Sequence, residues 1–134
     1  MSLAEQEKLL AELDHLEALK KQKLAQKKFL AFVSQVWPGF IGGRHHARMA
    51  DAFERVANGT CKRLIINMPP RHTKSEFASY LLPAWFLGKE PGKKVIQTSH
   101  TAELAVGFGR KVRNLVDTEV YHEIFPDLIL QADS

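Results

Sequence analysis

A chain of 134 residues, 45% hydrophobic and 25% charged, has room for one domain and too little for two of ordinary size, and that balance excludes a disordered protein. Lys and Arg number 19 against 15 Asp and Glu, and the net charge of +4 permits contact with nucleic acid without requiring it. A single cysteine, Cys61, excludes an internal disulfide and a paired-cysteine zinc site.

A lone cysteine fits a reducing compartment. No apolar run approaches the roughly 18 residues a membrane span needs, and the charged first thirty residues do not read as a signal peptide.

Residues from Leu3 to about Val36 contain no glycine or proline and are rich in Ala, Leu, Glu, Lys and Gln, all good helix formers. Leu9, Leu13 and Leu16 recur at spacings of four and three, and Phe29, Phe32, Val33 and Val36 resume the stripe. One uninterrupted helix here would be about 50 Å long, too long to bury in so small a domain. It is expected to form an arm over residues 1–36 that packs on its own domain at one end. Its acids (Glu5, Glu7, Glu12, Asp14, Glu17) precede its lysines (Lys20, Lys21, Lys23, Lys27, Lys28). That order suits a helix dipole, or else makes the basic end a surface for a polyanion or a partner.

"WPGFIGGRHH", Trp37 to His46, breaks the helix. A second helix is predicted over about 45–57, stopping at Gly59. "KRLIIN", Lys62 to Asn67, reads as a short buried strand. A helix follows from Lys74 to about Leu87, kinked or restarted at Pro83. "KKVIQTS", Lys93 to Ser99, reads as a second strand, and a helix over 101–116 takes Thr101 as its N-cap. Strand and helix alternating with short connections predict an α/β domain over residues 37–134, with a few parallel strands and flanking helices. Two parallel strands leave edges and faces uncovered, so the domain reads as part of a larger one.

The chemistry centres on "PPRHTKSE", Pro69 to Glu76. A phosphate-binding loop needs inward backbone N–H donors, a lysine for the terminal phosphates and a hydroxyl for Mg²⁺, at a helix N-terminus that adds partial positive charge. Lys74 and Ser75 stand where that lysine and hydroxyl belong. Both glycines of the usual pattern are missing: Met68 and Thr73 occupy their positions. Pro69 and Pro70 have no N–H, so the cradle would come from Arg71, His72, Thr73, Lys74, Ser75 and Glu76. By pattern alone, a nucleotide site and a plain strand-to-helix turn are both open.

"LIINMPPRHTKSEFASYLLPAWFLG" resembles the ATPase loop of phage large terminase subunits, the motors that pump DNA into procapsids. The flanking "FVSQVWPGFIGGRHHARMADAFERVANG", "KKVIQTSHTAELAVGFGRKVRNLV" and "EIFPDLILQADS" resemble the adjoining segments, so the likeness covers about residues 29–134. It implies a partial P-loop NTPase domain behind a long N-terminal helix. ATP and Mg²⁺ are then the expected cofactors. Pro70 and the residues to Glu76 bind nucleotide, Lys74 holds phosphate, Ser75 coordinates Mg²⁺, and Arg71 serves as the catalytic γ-phosphate sensor. It places Phe40, His45 and His46 in the region that helps hold adenine, and Arg110, Lys111 and Arg113 on a helix facing DNA or a neighbouring subunit. The implied partners are double-stranded DNA, the portal protein, the small terminase subunit and further copies in a ring. The implied location is the host cytoplasm, transiently at the procapsid portal.

The apolar strand ending in Asp-Glu that such an ATPase requires is not found, nor are the acidic ligands of the family's nuclease domain. The chain is therefore expected to be a fragment, a truncated frame or one piece of a split gene, and to be catalytically incomplete. Two other readings stand beside it: another helicase-like P-loop ATPase, or a non-catalytic protein that binds through its helical arm.

Overall fold

The computed structural model describes residues 2–69 and 74–130. Its helices are α1 (Leu3–Lys27), α2 (Phe29–Val36), α3 (Arg44–Asn58), α4 (Leu82–Lys89), α5 (Ala102–Val116) and α6 (Glu119–Ile124), with a π-helical turn, Glu76–Leu81, leading into α4. The α/β class expected from the sequence does not form. Among the described residues every regular element is helical and there is no β-strand. Both expected strands, 62–67 and 93–99, run without regular structure.

The reason lies in what a strand needs. A strand is stable only when its backbone groups pair with a neighbour and one face is covered. Among the described residues no ladder joins the two segments. An isoleucine of each also stays in water, Ile65 at 85% and Ile96 at 89% exposure, while Ile66 alone of these isoleucines packs against the core. β-branched composition marks a segment that fits a sheet; it does not supply one.

The single long helix of the sequence reading is two helices. Lys28 adopts extended backbone angles, φ −114° and ψ 122°, between α1 and α2. Glu54 of α3 holds this break from outside: its carboxylate accepts from the Phe29 N–H at 3.1 Å and lies 3.5 Å from the Lys28 Nζ. The turn lets α2 leave the line of α1 and bury Phe29, Phe32 and Val33.

Around α2 the core assembles from aromatic edges. The Phe29 ring meets Phe53, Phe77 and Trp85 edge-on, with centroids 5.3 to 5.5 Å apart, and Phe32 meets Tyr121 and Phe125. Such pairs contribute roughly 0.5–1.5 kcal/mol beyond their buried area. The polar tips inside are satisfied. Trp85 Nε1 donates to the Ala25 carbonyl at 2.9 Å, and Tyr121 Oη donates to the Ala84 carbonyl at 2.6 Å. Gly88 lets α4 approach α6's end, since a Cβ there would lie 2.5 Å from the Phe125 ring.

Helix ends follow local chemistry. Ser2 and Glu5 close a reciprocal cap on α1, and Thr101 and Thr118 accept from Leu104 and Tyr121 to open α5 and α6. Gly59, at φ 82°, ends α3 in the left-handed conformation that glycine adopts without strain.

Candidate functional site

The helical run that carries the candidate site is described from Lys74, continues through Ser75 into the π-helical turn and ends at Lys89. Pro83 explains the π-helical geometry. Having no N–H, it leaves the Ser79 carbonyl without its helical donor, and that carbonyl accepts instead from Gln97 Nε2. The Leu82 N–H correspondingly reaches back five residues to the Phe77 carbonyl. Single π-turns of this kind often accompany functional sites.

Lys74 is half-buried and Ser75 is exposed at the start of this run. Both line an open cavity of about 460 Å³ bounded by α3, the segment around Lys62–Ile66 and the helical run itself. Its polar lining comprises Lys62, Lys74, Ser75 and Ser79, and no carboxylate is among its described lining residues. Phe53, Val56, Leu64, Ile66, Ala78 and Leu82 provide apolar walls. Two lysines and two serines lining a wall without acidic residues make surroundings of positive charge suited to an anion. Lys62 went unremarked in the sequence because nothing in local spacing links it to Lys74; the fold brings them to one cavity.

Glu76, next in the loop, directs its side chain toward α5. Its carboxylate lies 3.2 Å from the Lys111 Nζ, which also sits over the rings of Tyr80 and Phe108. Lys111 therefore ties α5 to the helical run, and Arg110, Lys111 and Arg113 are all exposed on α5. Pro70, Arg71, His72 and Thr73, and with them the expected catalytic arginine, lie outside the described residues.

Phe40, His45 and His46 come together in an aromatic cluster. Phe40 packs on Trp37, His46 and Phe77 with centroids 4.9 to 5.5 Å apart, and the His45 and His46 rings are 3.8 Å apart. Phe77 joins this cluster to the helical run three residues beyond Lys74. His46 is 6% exposed, and its Nδ1 accepts from the Gly43 N–H at 2.8 Å, so the ring caps α3 in its neutral form. Burial, then the charge of His45, lowers its pKa below the usual histidine value.

Among the described residues no group of three or more His, Cys, Asp or Glu side chains could hold a metal ion, and no helix is long and apolar enough to cross a membrane. No protein-family model, curated protein or solved structure matches the chain.

Proposed function

We propose that the chain is the ATP-binding N-terminal portion of a viral DNA-packaging terminase large subunit, the subunit that couples ATP hydrolysis to movement of DNA into procapsids. The observation that carries the proposal is the cavity in which Lys62, Lys74, Ser75 and Ser79 meet without an opposing carboxylate. A nucleotide's phosphates fit that lining. Lys74 would hold phosphate, Ser75 would meet Mg²⁺, and the cluster around Phe40, His45 and His46 would stiffen the wall next to them. Bound Mg²⁺ would supply neutralisation of phosphate charge.

Hydrolysis by this chain alone is not part of the reading, because its sequence has no apolar run ending in Asp-Glu. Double-stranded DNA, the portal protein and the small terminase subunit are the proposed partners, in the host cytoplasm and at the procapsid. A second reading, non-catalytic binding through the arm, is favoured by the exposure of every residue from 2 to 21.

Thermal unfolding with and without MgATP tests the nucleotide proposal. Ligand at about 100 times its Kd stabilises by roughly 2.7 kcal/mol, or about 5–10 °C for a domain of this size. The shift is expected in the native chain and absent from Lys74→Ala, with Lys62→Ala intermediate. A cooperatively unfolding chain that shows no shift at saturating MgATP would sink it.

A further inference from the structure

Helix α1 stands outside the fold for most of its length. Residues 2–21 are all exposed, and α1 buries a side chain only at Ala25, near its junction with α2. At 1.5 Å per residue the free part extends about 28 Å. Isolated helices of this length are marginal in water, since most helical stability in proteins comes from packing an apolar face. Yet Leu3, Leu9, Leu10, Leu13, Leu16 and Leu19 all face solvent, with Leu13 at 55% and Leu16 at 54% exposure.

These leucines occupy about 200° of the helix circumference, centred near Leu13. Ala25, which faces the body of the protein, lies about a third of a turn away from that centre. The body therefore leaves the stripe open.

The charge order says what can cover it. Between Leu3 and Ala18 the helix carries five carboxylates against Lys8; from Leu19 to Lys27 it carries four lysines and no acid. Lys20 and Lys23 continue the stripe begun by Leu9, Leu13 and Leu16, at spacings of four and three. Two such helices side by side in parallel would set lysine on lysine and carboxylate on carboxylate. Laid antiparallel, they are self-complementary. With Leu13 of one against Leu16 of the other, Lys20 and Lys23 run along the partner helix's Leu9, flanked by its Glu5 and Glu12. Their aliphatic stems cover the leucine while their ammonium groups reach the carboxylates. A two-fold pairing of this kind meets the same patch on both copies and closes without leaving a free end.

We infer that α1 is a dimerisation arm whose occupant is α1 of a second copy of this chain, paired antiparallel about Leu13 and Leu16. The pairing leaves the cavity at Lys74 untouched, so its success or failure is read independently of nucleotide binding.

Sedimentation velocity of the full chain over about a hundredfold range of concentration tests the inference. The native chain is expected to pass from monomer to dimer. Leu13→Asp with Leu16→Asp is expected to abolish the dimer while leaving the core folded, since both side chains are exposed. Lys20→Glu with Lys23→Glu is expected to weaken it about tenfold or more, and adding Glu5→Lys with Glu12→Lys to restore it, because only antiparallel pairing sets these positions opposite one another. Circular dichroism accompanies the swap, as Glu5 also closes the α1 cap. A chain that stays monomeric throughout overturns the inference and assigns the face to a different protein. A dimer indifferent to Leu13 and Leu16, or a charge swap that restores nothing while the helix is intact, overturns it equally.

Discussion

His46 shows how one residue can serve the fold in a place where sequence suggests ligand binding. Its Nδ1 is an acceptor for the Gly43 N–H, which requires the neutral ring, and burial beside His45 disfavours the proton further. A folded-state pKa below the unfolded value of about 6.5 means that the unfolded chain binds the proton more readily. The associated stability is present above about pH 6.5 and is lost as pH falls through the lower folded pKa. Urea denaturation at about pH 8 and about pH 5.5 is expected to show lower stability at the acidic value. His46→Gln keeps an acceptor for Gly43 and removes the titration, so it is expected to flatten that difference. An equal pH slope in the variant would assign the effect to other groups.

At the scale of elements, the join between the π-helical turn and α4 depends on a side chain from a distant, irregular segment. Gln97 supplies the donor that Pro83 withholds from the Ser79 carbonyl. Gln97→Met is therefore expected to cost about 0.5–1.5 kcal/mol, the usual net worth of such a bond where the acceptor is part-buried. In a Pro83→Ala background the restored N–H can take over, and the same substitution is expected to cost less. The coupling from the double-mutant cycle is the measurement, and additive costs would show that Gln97 acts elsewhere.

This element also marks how far the sequence could be read. The α5 cap at Thr101 and the stop at Gly59 rest on neighbouring residues, and local pattern carries them. The break at Lys28 rests on Glu54, which is 26 positions away, and no proline or glycine announces it. Residues 62–67 and 93–99 look like strands because their side chains suit a sheet, but their state depends on partners that local composition cannot reveal. The candidate site divides in the same way. Lys74 and Ser75 are visible as a pair beside a helix start, whereas Lys62 and the diversion of Glu76 to Lys111 follow only from tertiary packing.

For the whole molecule, the chain separates into a core built on α2, α3, α4, α5 and α6 and an arm that contributes almost nothing to it. Every aromatic pair in the interior belongs to the core, and α1 reaches it through Ala25, its carbonyl bond from Trp85, the Gln26 side-chain bond to the Ile124 carbonyl at 2.7 Å and the Gln35 side-chain bond to the Lys21 carbonyl at 3.0 Å. Those attachments begin at Lys21. Deleting residues 2–20 should therefore leave the core's stability within about 1 kcal/mol of the native chain, because exposed residues away from such attachments rarely contribute more. The arm's own helix is different: alone it is near the limit of stability, and a partner would be needed to hold it. Helical circular dichroism should accordingly rise with concentration in the native chain and stay constant in the deleted one. The core unfolding midpoint, measured where the native chain is monomeric, should coincide for both. A midpoint that drops by much more on deletion would mean that the arm folds back on the core in solution, and the separation into two parts would have to be abandoned.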